Sequence, residues 1–306
     1  MYESLKVSCA SFHIYIFAFD DLSFQILNDL HPDSATIIPL DKFENKQLLD
    51  VKKDRTRAEY CWTCTSSTIE YVFENYHVPA CTYIDADLFF YGSPETLIEE
   101  LNQENTVLIT EHRYSWFSRL YEEKRAGKFC VQFITFVNEP KSRMILKHWI
   151  SQCIEWCYAR YEDGKFGDQK YLDEWPLRYD NVKILEHHGA GVAPWNILQY
   201  LIFRNADSIR GIEKRTGKEF DIIFFHFHFV RFMDNGTIDL GWNTIPRDIQ
   251  NLLYIPYINK IKEMENNLES KFEGYKTKYY PTHPSGFKDY VKYVIKKISG
   301  FNIIKT

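Results

Sequence analysis

The sequence predicts an α/β protein, a Rossmann-like mixed sheet flanked by helices, on two observations. Short runs rich in β-branched and aromatic residues alternate with stretches of helical spacing, the pattern of a parallel or mixed sheet covered on both faces. Two of those runs end in acidic residues, Asp20 and the pair Asp85 and Asp87, and in such sheets ligands bind beyond the carboxyl ends of the strands.

Taken in order, Phe12 to Asp20 reads as a buried strand, and Ser23 is the expected cap of a helix over Phe24 to Leu30 that His31-Pro32 stops. Ala35 to Leu40 predicts a second strand. Leu48 to Tyr76 is helical in pattern, with a break expected at Thr63 to Ser67, where β-branched and hydroxyl residues cluster. Ala80 to Phe90 predicts a third strand, followed by a turn and helix start at Gly92-Ser93-Pro94. Thr106 to Thr110 and the apolar Phe129 to Val137 predict two more strands, the latter central. Ser142 to Tyr161 has helical spacing and closes at Asp163-Gly164.

A chain of 306 residues with 45% hydrophobic and 26% charged residues can bury one sizeable core. A net charge of -5 argues against a general nucleic-acid binder. The aromatic content of 17% fits sugar stacking or a large core equally. Seven cysteines with no secretory signal ahead of them point to a reduced, cytoplasmic compartment, and Cys61-Trp62-Thr63-Cys64 reads as structural cysteine rather than a zinc or redox pair. No apolar run approaches the roughly 20 residues needed to cross a bilayer. From Lys271 to Thr306, eight lysines stand against two acids among aromatics such as Tyr275, Phe287 and Tyr293. That segment reads either as a solvated helix face or as a peripheral contact with an anionic membrane through residues 271–306.

Asp85 and Asp87 stand at i and i+2 after an apolar run, so an extended chain presents both carboxylates on one face. Two hard oxygen ligands suit Mn²⁺ or Mg²⁺, usually completed by substrate phosphates. His226 and His228 share one face of the strand predicted over Ile222 to Phe229, where an imidazole could complete the carboxylate pair or simply be buried and hydrogen-bonded. Asp168 and Gln169 follow Gly167 at a helix start, placed either to cap it or to meet a sugar. The loop Glu186 to Asn196, ending in Trp195-Asn196, offers an aromatic plane and an amide to an acceptor, or is a plain turn. Glu111-His112-Arg113 is a further candidate wall, and Arg55 and Arg57 are candidates for phosphate.

With these pieces in place the chain resembles the glycosyltransferases of the GT-A fold, family 8-like, of the bacterial surface polysaccharide group. The resembling stretches are Arg57 to Thr63, Tyr83 to Phe90, Glu111-His112-Arg113, Gly167-Asp168-Gln169 through Trp175-Pro176, His188 to Asn196 and Phe225-His226-Phe227. The resemblance implies Mn²⁺ (or Mg²⁺) held by Asp85, Asp87 and His226, with His228 the second choice. It implies a nucleotide-sugar donor, a UDP-sugar, bound by Arg57, Ala86, Gln132 and the acid pair. Asp168 and Gln169 match the position near the reacting sugar, with retention of anomeric configuration, and His188, Trp195 and Asn196 would meet a glycan or lipid-linked acceptor.

Residues 1–243 are then the transferase domain, and residues 244–306 a basic, aromatic, helical extension. Two departures stand out. The chain opens at Tyr2-Glu3-Ser4-Leu5, where relatives first have a base-gripping strand, so a truncated start is expected; and Cys130-Val131-Gln132-Phe133 replaces an Asn-Ser/Thr-Gly-like run, with Gln132 as the substitute. The rival readings are a non-catalytic relative acting as a binding protein and an Asp-X-Asp phosphohydrolase. The latter places its nucleophile on a first strand, unlike this mid-chain pair.

Overall fold

A computed structural model of the chain describes residues 1–282 and 287–305. Parts of the expected membrane-facing tail, Thr306 and the side chains of Phe287 and Tyr293 among them, lie outside the described residues. The architecture is mixed α/β. After a helix Tyr2–Ser8, β1 (Ile14–Ala18) and β2 (Ala35–Pro39) pair in parallel. The central sheet is built from β3 (Ala80–Ile84), β5 (Val107–Glu111), β6 (Phe129–Val137) and β7 (Val182–Ile184), while β4 (Leu88–Phe90) follows β3 in the chain and belongs to a separate ladder. The order in the central sheet is β3-β6-β5-β7, antiparallel at β6 and parallel between β5 and β7.

Alternation along β5 divides the interior. Val107 and Ile109 join a cluster with Ile69 and Phe73 of helix Arg57–Tyr76 and with Ile145 and Trp149 of helix Pro140–Glu155. Leu108 faces a second cluster with Leu5, Leu88 and Phe224. Trp149 is fully buried and meets Trp175 edge to face at 5.4 Å, so its truncation to Ala would cost about 3–5 kcal/mol.

Beyond the central sheet, β8 (Tyr200–Asn205), β9 (Ser208–Glu213) and β10 (Glu219–Asp221) form an antiparallel meander. β11 (Phe224–His226) runs antiparallel beside β4. β12 (Arg231–Phe232), β13 (Thr237–Asp239) and β14 (Ile303–Lys305) make the last sheet. Helices Ile255–Lys271 and Phe287–Ser299 precede β14. Tyr257 of the first stacks on Phe227 at 3.8 Å within the cluster that holds β8 to β11. Residues after 243 therefore share a core with those before. No helix among the described residues is long and apolar enough to cross a membrane.

Several expectations are corrected. The first helix after β1 spans Asp21–Leu30 and is capped by Asp20, whose carboxylate accepts from the Ser23 N–H at 2.8 Å; Ser23 is not the cap. Leu48 to Tyr76 is two helices, Lys46–Lys52 and Arg57–Tyr76, the second opened by a reciprocal Thr56/Glu59 capping box. It runs unbroken through Thr63 to Ser67. Thr63 and Thr65 donate their hydroxyls to the carbonyls of Glu59 and Cys61, so groups that could compete with the helix are satisfied by the turn before. Helix Pro140–Glu155 stops at Trp156, and Asp163-Gly164 instead lies between the bridged Glu162 and Lys165. The strand expected over Ala80 to Phe90 is interrupted by the acid pair, and that over Ile222 to Phe229 shrinks to three residues.

Candidate active site

The Asp85-Ala86-Asp87 turn between β3 and β4 is held from three sides. Asp85 donates its N–H to the Gln132 carbonyl on β6 at 3.1 Å, Leu88 donates to the Asp85 carbonyl at 3.3 Å, and Phe227 donates to the Asp87 carbonyl at 3.0 Å. The pairing of β11 with β4 sets His226 opposite Leu88, which brings the imidazole to the acids. His226 Nε2 lies 3.0 Å from Asp87 Oδ1 and 3.8 Å from Asp85 Oδ2. One ligand atom from each of Asp87, His226 and His228 falls within 4.8 Å of the others. The Trp195 ring packs edge-on against both imidazoles, at 5.3 and 5.7 Å.

Two neighbours, the half-buried Tyr83 and the fully buried Gln132, orient this cluster. The Tyr83 hydroxyl donates to Asp85 Oδ1 at 3.0 Å. Gln132 Oε1 lies 2.6 Å from His226 Nδ1; an amide oxygen only accepts, so Nδ1 carries a proton and Nε2 is aimed at the carboxylates.

The cluster borders a cavity of about 740 Å³ that is also lined by Ala86, Asp168, Gln169, Trp62, Phe166, His112 and Trp195, with Phe117, Arg125 and Trp242 among the remaining walls. Asp168 is buried, and its carbonyl accepts from the Trp149 indole at 2.9 Å. Gln169 donates to the Ala126 carbonyl at 2.6 Å, and neither side chain caps the short helix after it.

Charges are strongly coupled here. Burial pushes the Asp168 carboxyl up to about 7, with the Asp85 charge adding to the effect. Burial likewise lifts Asp85 to about 6 against the pull of His226. Burial works against ionisation at Asp87 and His226 too, but each outweighs it in the other: Asp87 sits below the usual carboxylate range and His226 well above the usual imidazole range. Desolvation and the His226 charge push His228 down to about 4. Two carboxylates and two imidazoles, one neutral and one ready to exchange its proton, form a donor set that can hold a divalent cation.

Of the residues singled out from sequence, Asp85, Ala86, Asp87, Asp168, Gln169, Trp195, His226 and His228 come together around the cavity. Arg57, Gln132, His188 and Asn196 do not line it, nor do Arg55, Glu111 and Arg113. Arg57 extends into solvent and pairs with Asp20 at 2.8 Å. Gln132 lies beneath His226 and is fully buried. His188 packs against Phe220 at 5.6 Å. Asn196 is buried, donating to the His112 and Gly191 carbonyls, both at 2.8 Å, and accepting from the Ala193 N–H at 3.0 Å.

Sequence reasoning gave Tyr83 no role, although its i, i+2 relation to Asp85 was a usable signal; Arg125 and Trp242 offered none. Arg113, considered as a wall, serves as an anchor. It adopts φ 50° and donates to the carbonyls of Leu185, His187, His188 and Ala190, tying down the loop that leads to Trp195.

No family model matches the sequence. The chain is 27% identical over 289 residues to the uncharacterized protein YfnD of Bacillus subtilis (strain 168), covering 92% of this chain and 90% of that one. It is 27% identical over 287 residues to the uncharacterized protein YfnF of the same organism, covering 91% and 92%. Among solved structures, the apo form of mouse xyloside xylosyltransferase 1 aligns with a TM-score of 0.36 and 13% identity, over 63% of this chain and 81% of that one.

Proposed function

We propose that this chain is a metal-dependent glycosyltransferase that moves a sugar from a nucleotide-diphosphate donor, a UDP-sugar, to a glycan or lipid-linked acceptor. The observation that carries the reading is the gathering of Asp85, Asp87, His226 and His228 on a cavity of about 740 Å³ that Asp168 and Gln169 also border. A space of that size suits a nucleotide-sized ligand. Mixed oxygen and imidazole donors favour Mn²⁺ over Mg²⁺, which prefers an all-oxygen shell.

Asp85, Asp87 and His226 would hold the ion, with His228 the nearest further donor. Bound there, it supplies positive charge to a departing diphosphate. Gln132 fixes the His226 ring, Tyr83 fixes Asp85, and Trp62, Phe166 and Trp195 give the cavity aromatic walls against which a sugar can pack. Asp168, buried and charged from about neutral pH upward, would stabilise positive charge developing on a sugar, and retention is the outcome the resemblance implies. A cytoplasmic location at the inner face of the membrane goes with this reading.

Calorimetric titration of UDP with and without Mn²⁺, on the chain and on Asp85→Asn/Asp87→Asn, tests it. Binding that requires Mn²⁺ and is lost in the double variant is expected; an intact chain that binds no nucleoside diphosphate under either condition would leave the non-catalytic reading standing.

A further inference from the structure

Trp116, Phe117, Leu120 and Tyr121 form an unusually bare apolar group. They are 84%, 64%, 85% and 68% exposed, and the Trp116 and Phe117 rings touch each other edge to face at 6.1 Å. A soluble surface rarely leaves so many large side chains together in water. Leu120 and Tyr121 open helix Arg119–Ala126, whose C-terminal residue Ala126 is buried, so the group projects from a fixed base.

Its position and charge narrow what it meets. Phe117, Glu122 and Arg125 line the large cavity, so the group stands at the cavity's edge. Residues 116–128 carry Arg119, Lys124, Arg125 and Lys128 against Glu122 and Glu123; Arg119 pairs with Glu123 at 2.7 Å and Arg125 with Glu122 at 2.8 Å, which leaves a net excess of two cations. Trp242 lines the same cavity, stacks on Phe301 at 6.4 Å and has Lys296 over its ring at 4.6 Å. Helix Phe287–Ser299, to which Lys296 belongs, exposes Val291, Ile295 and Ile298 at the i, i+4, i+7 spacing of one face. Lys296 itself is buried against Asp239, but residues 271–306 carry eight Lys against two acids, so a second segment with exposed apolar side chains and excess positive charge reaches the cavity through the Trp242 contact.

We propose that Trp116 to Tyr121 is a knob that enters the interface of an anionic lipid bilayer and seats the cavity's edge against it. Tryptophan and tyrosine favour the headgroup level, leucine and phenylalanine the acyl boundary just below, and the neighbouring cations meet anionic headgroups. The knob adds a contact to the one expected of residues 271–306, and it stands on surface chemistry independent of the sugar-transfer reading.

The test is flotation of the full chain with vesicles of phosphatidylcholine alone or with about one-third phosphatidylglycerol. The intact chain is expected to float with the anionic vesicles and scarcely with the neutral ones. Trp116→Ser/Leu120→Ser/Tyr121→Ser, unchanged in thermal unfolding because these side chains are exposed, is expected to partition about tenfold or more weakly. Brominated lipid should quench tryptophan fluorescence in the intact chain and quench Trp116→Phe much less. The inference is overturned by an intact chain that stays unbound, by a triple variant that floats as well as the intact chain, or by concentration-dependent self-association that the triple variant abolishes.

Discussion

The wall of the cavity that carries Asp85, Asp87 and His226 and the edge formed by Trp116 to Tyr121 are built by opposite means. At the wall every functional side chain is held by a second group: Tyr83 on Asp85, Gln132 on His226, and backbone bonds across β4, β6 and β11. At the edge the side chains are free, and what fixes the segment is a turn in which Arg119 and Ser118 donate to the Ser115 carbonyl. The difference teaches where substitutions will register. Changes at the wall should alter binding with little room for repair; changes at the edge should leave the fold alone.

The largest contrast is expected at Asp87. Asp87→Ala removes the carboxylate closest to His226, and Mn²⁺ affinity measured by calorimetry should fall by more than about 100-fold. Gln132→Leu should come next: without the amide oxygen the His226 ring is no longer held, and a lost orienting partner typically lowers metal affinity about 10- to 100-fold. A Gln132 that contacted donor sugar instead would change nucleotide-sugar binding and leave Mn²⁺ binding intact.

Asp168 gives a smaller effect with a definite sign. Its carboxyl is raised to about 7, so the folded chain holds the proton more tightly than the unfolded one. That contribution is complete below the ordinary carboxylate range and is lost as pH rises through about 7. In chelator, Asp168→Asn should therefore flatten the fall in stability between about pH 5 and 7, by about 2 kcal/mol in chemical denaturation. The smallest effect belongs to the edge: Leu120→Ser should shift unfolding by less than about 0.5 kcal/mol. A larger loss would mean that the edge is packed as the wall is.

The strands were legible wherever burial dictated the pattern. Phe129 to Val137, apolar throughout, is the central β6 with the predicted limits. That Asp85 and Asp87 share one side was legible from their i, i+2 spacing, and both carboxylates approach the same imidazole, that of His226. What escaped was the use to which neighbours put polar groups. Thr63 to Ser67 looked like a helix break because hydroxyls compete with the backbone, yet here Thr63 and Thr65 bond the preceding turn and all five side chains stay inside. Asn196 and Gln132 looked like ligand-facing amides and are consumed internally, by a loop and by a histidine, through contacts dozens of residues away in sequence. No local pattern encodes such a contact. Trp116 to Tyr121 drew no expectation for a related reason: an apolar run in sequence does not say which side of it faces water.

Arg113 has a consequence for how the molecule can change. It grips the loop from Leu185 to Ala190 through carbonyl oxygens, which every residue type possesses, and not through side chains. The loop's path is thereby uncoupled from much of its spelling. Substitutions at Glu186 or His188 can accumulate while the route to Trp195 is kept, so variation on this surface need not disturb the cluster of Asp87, His226 and His228.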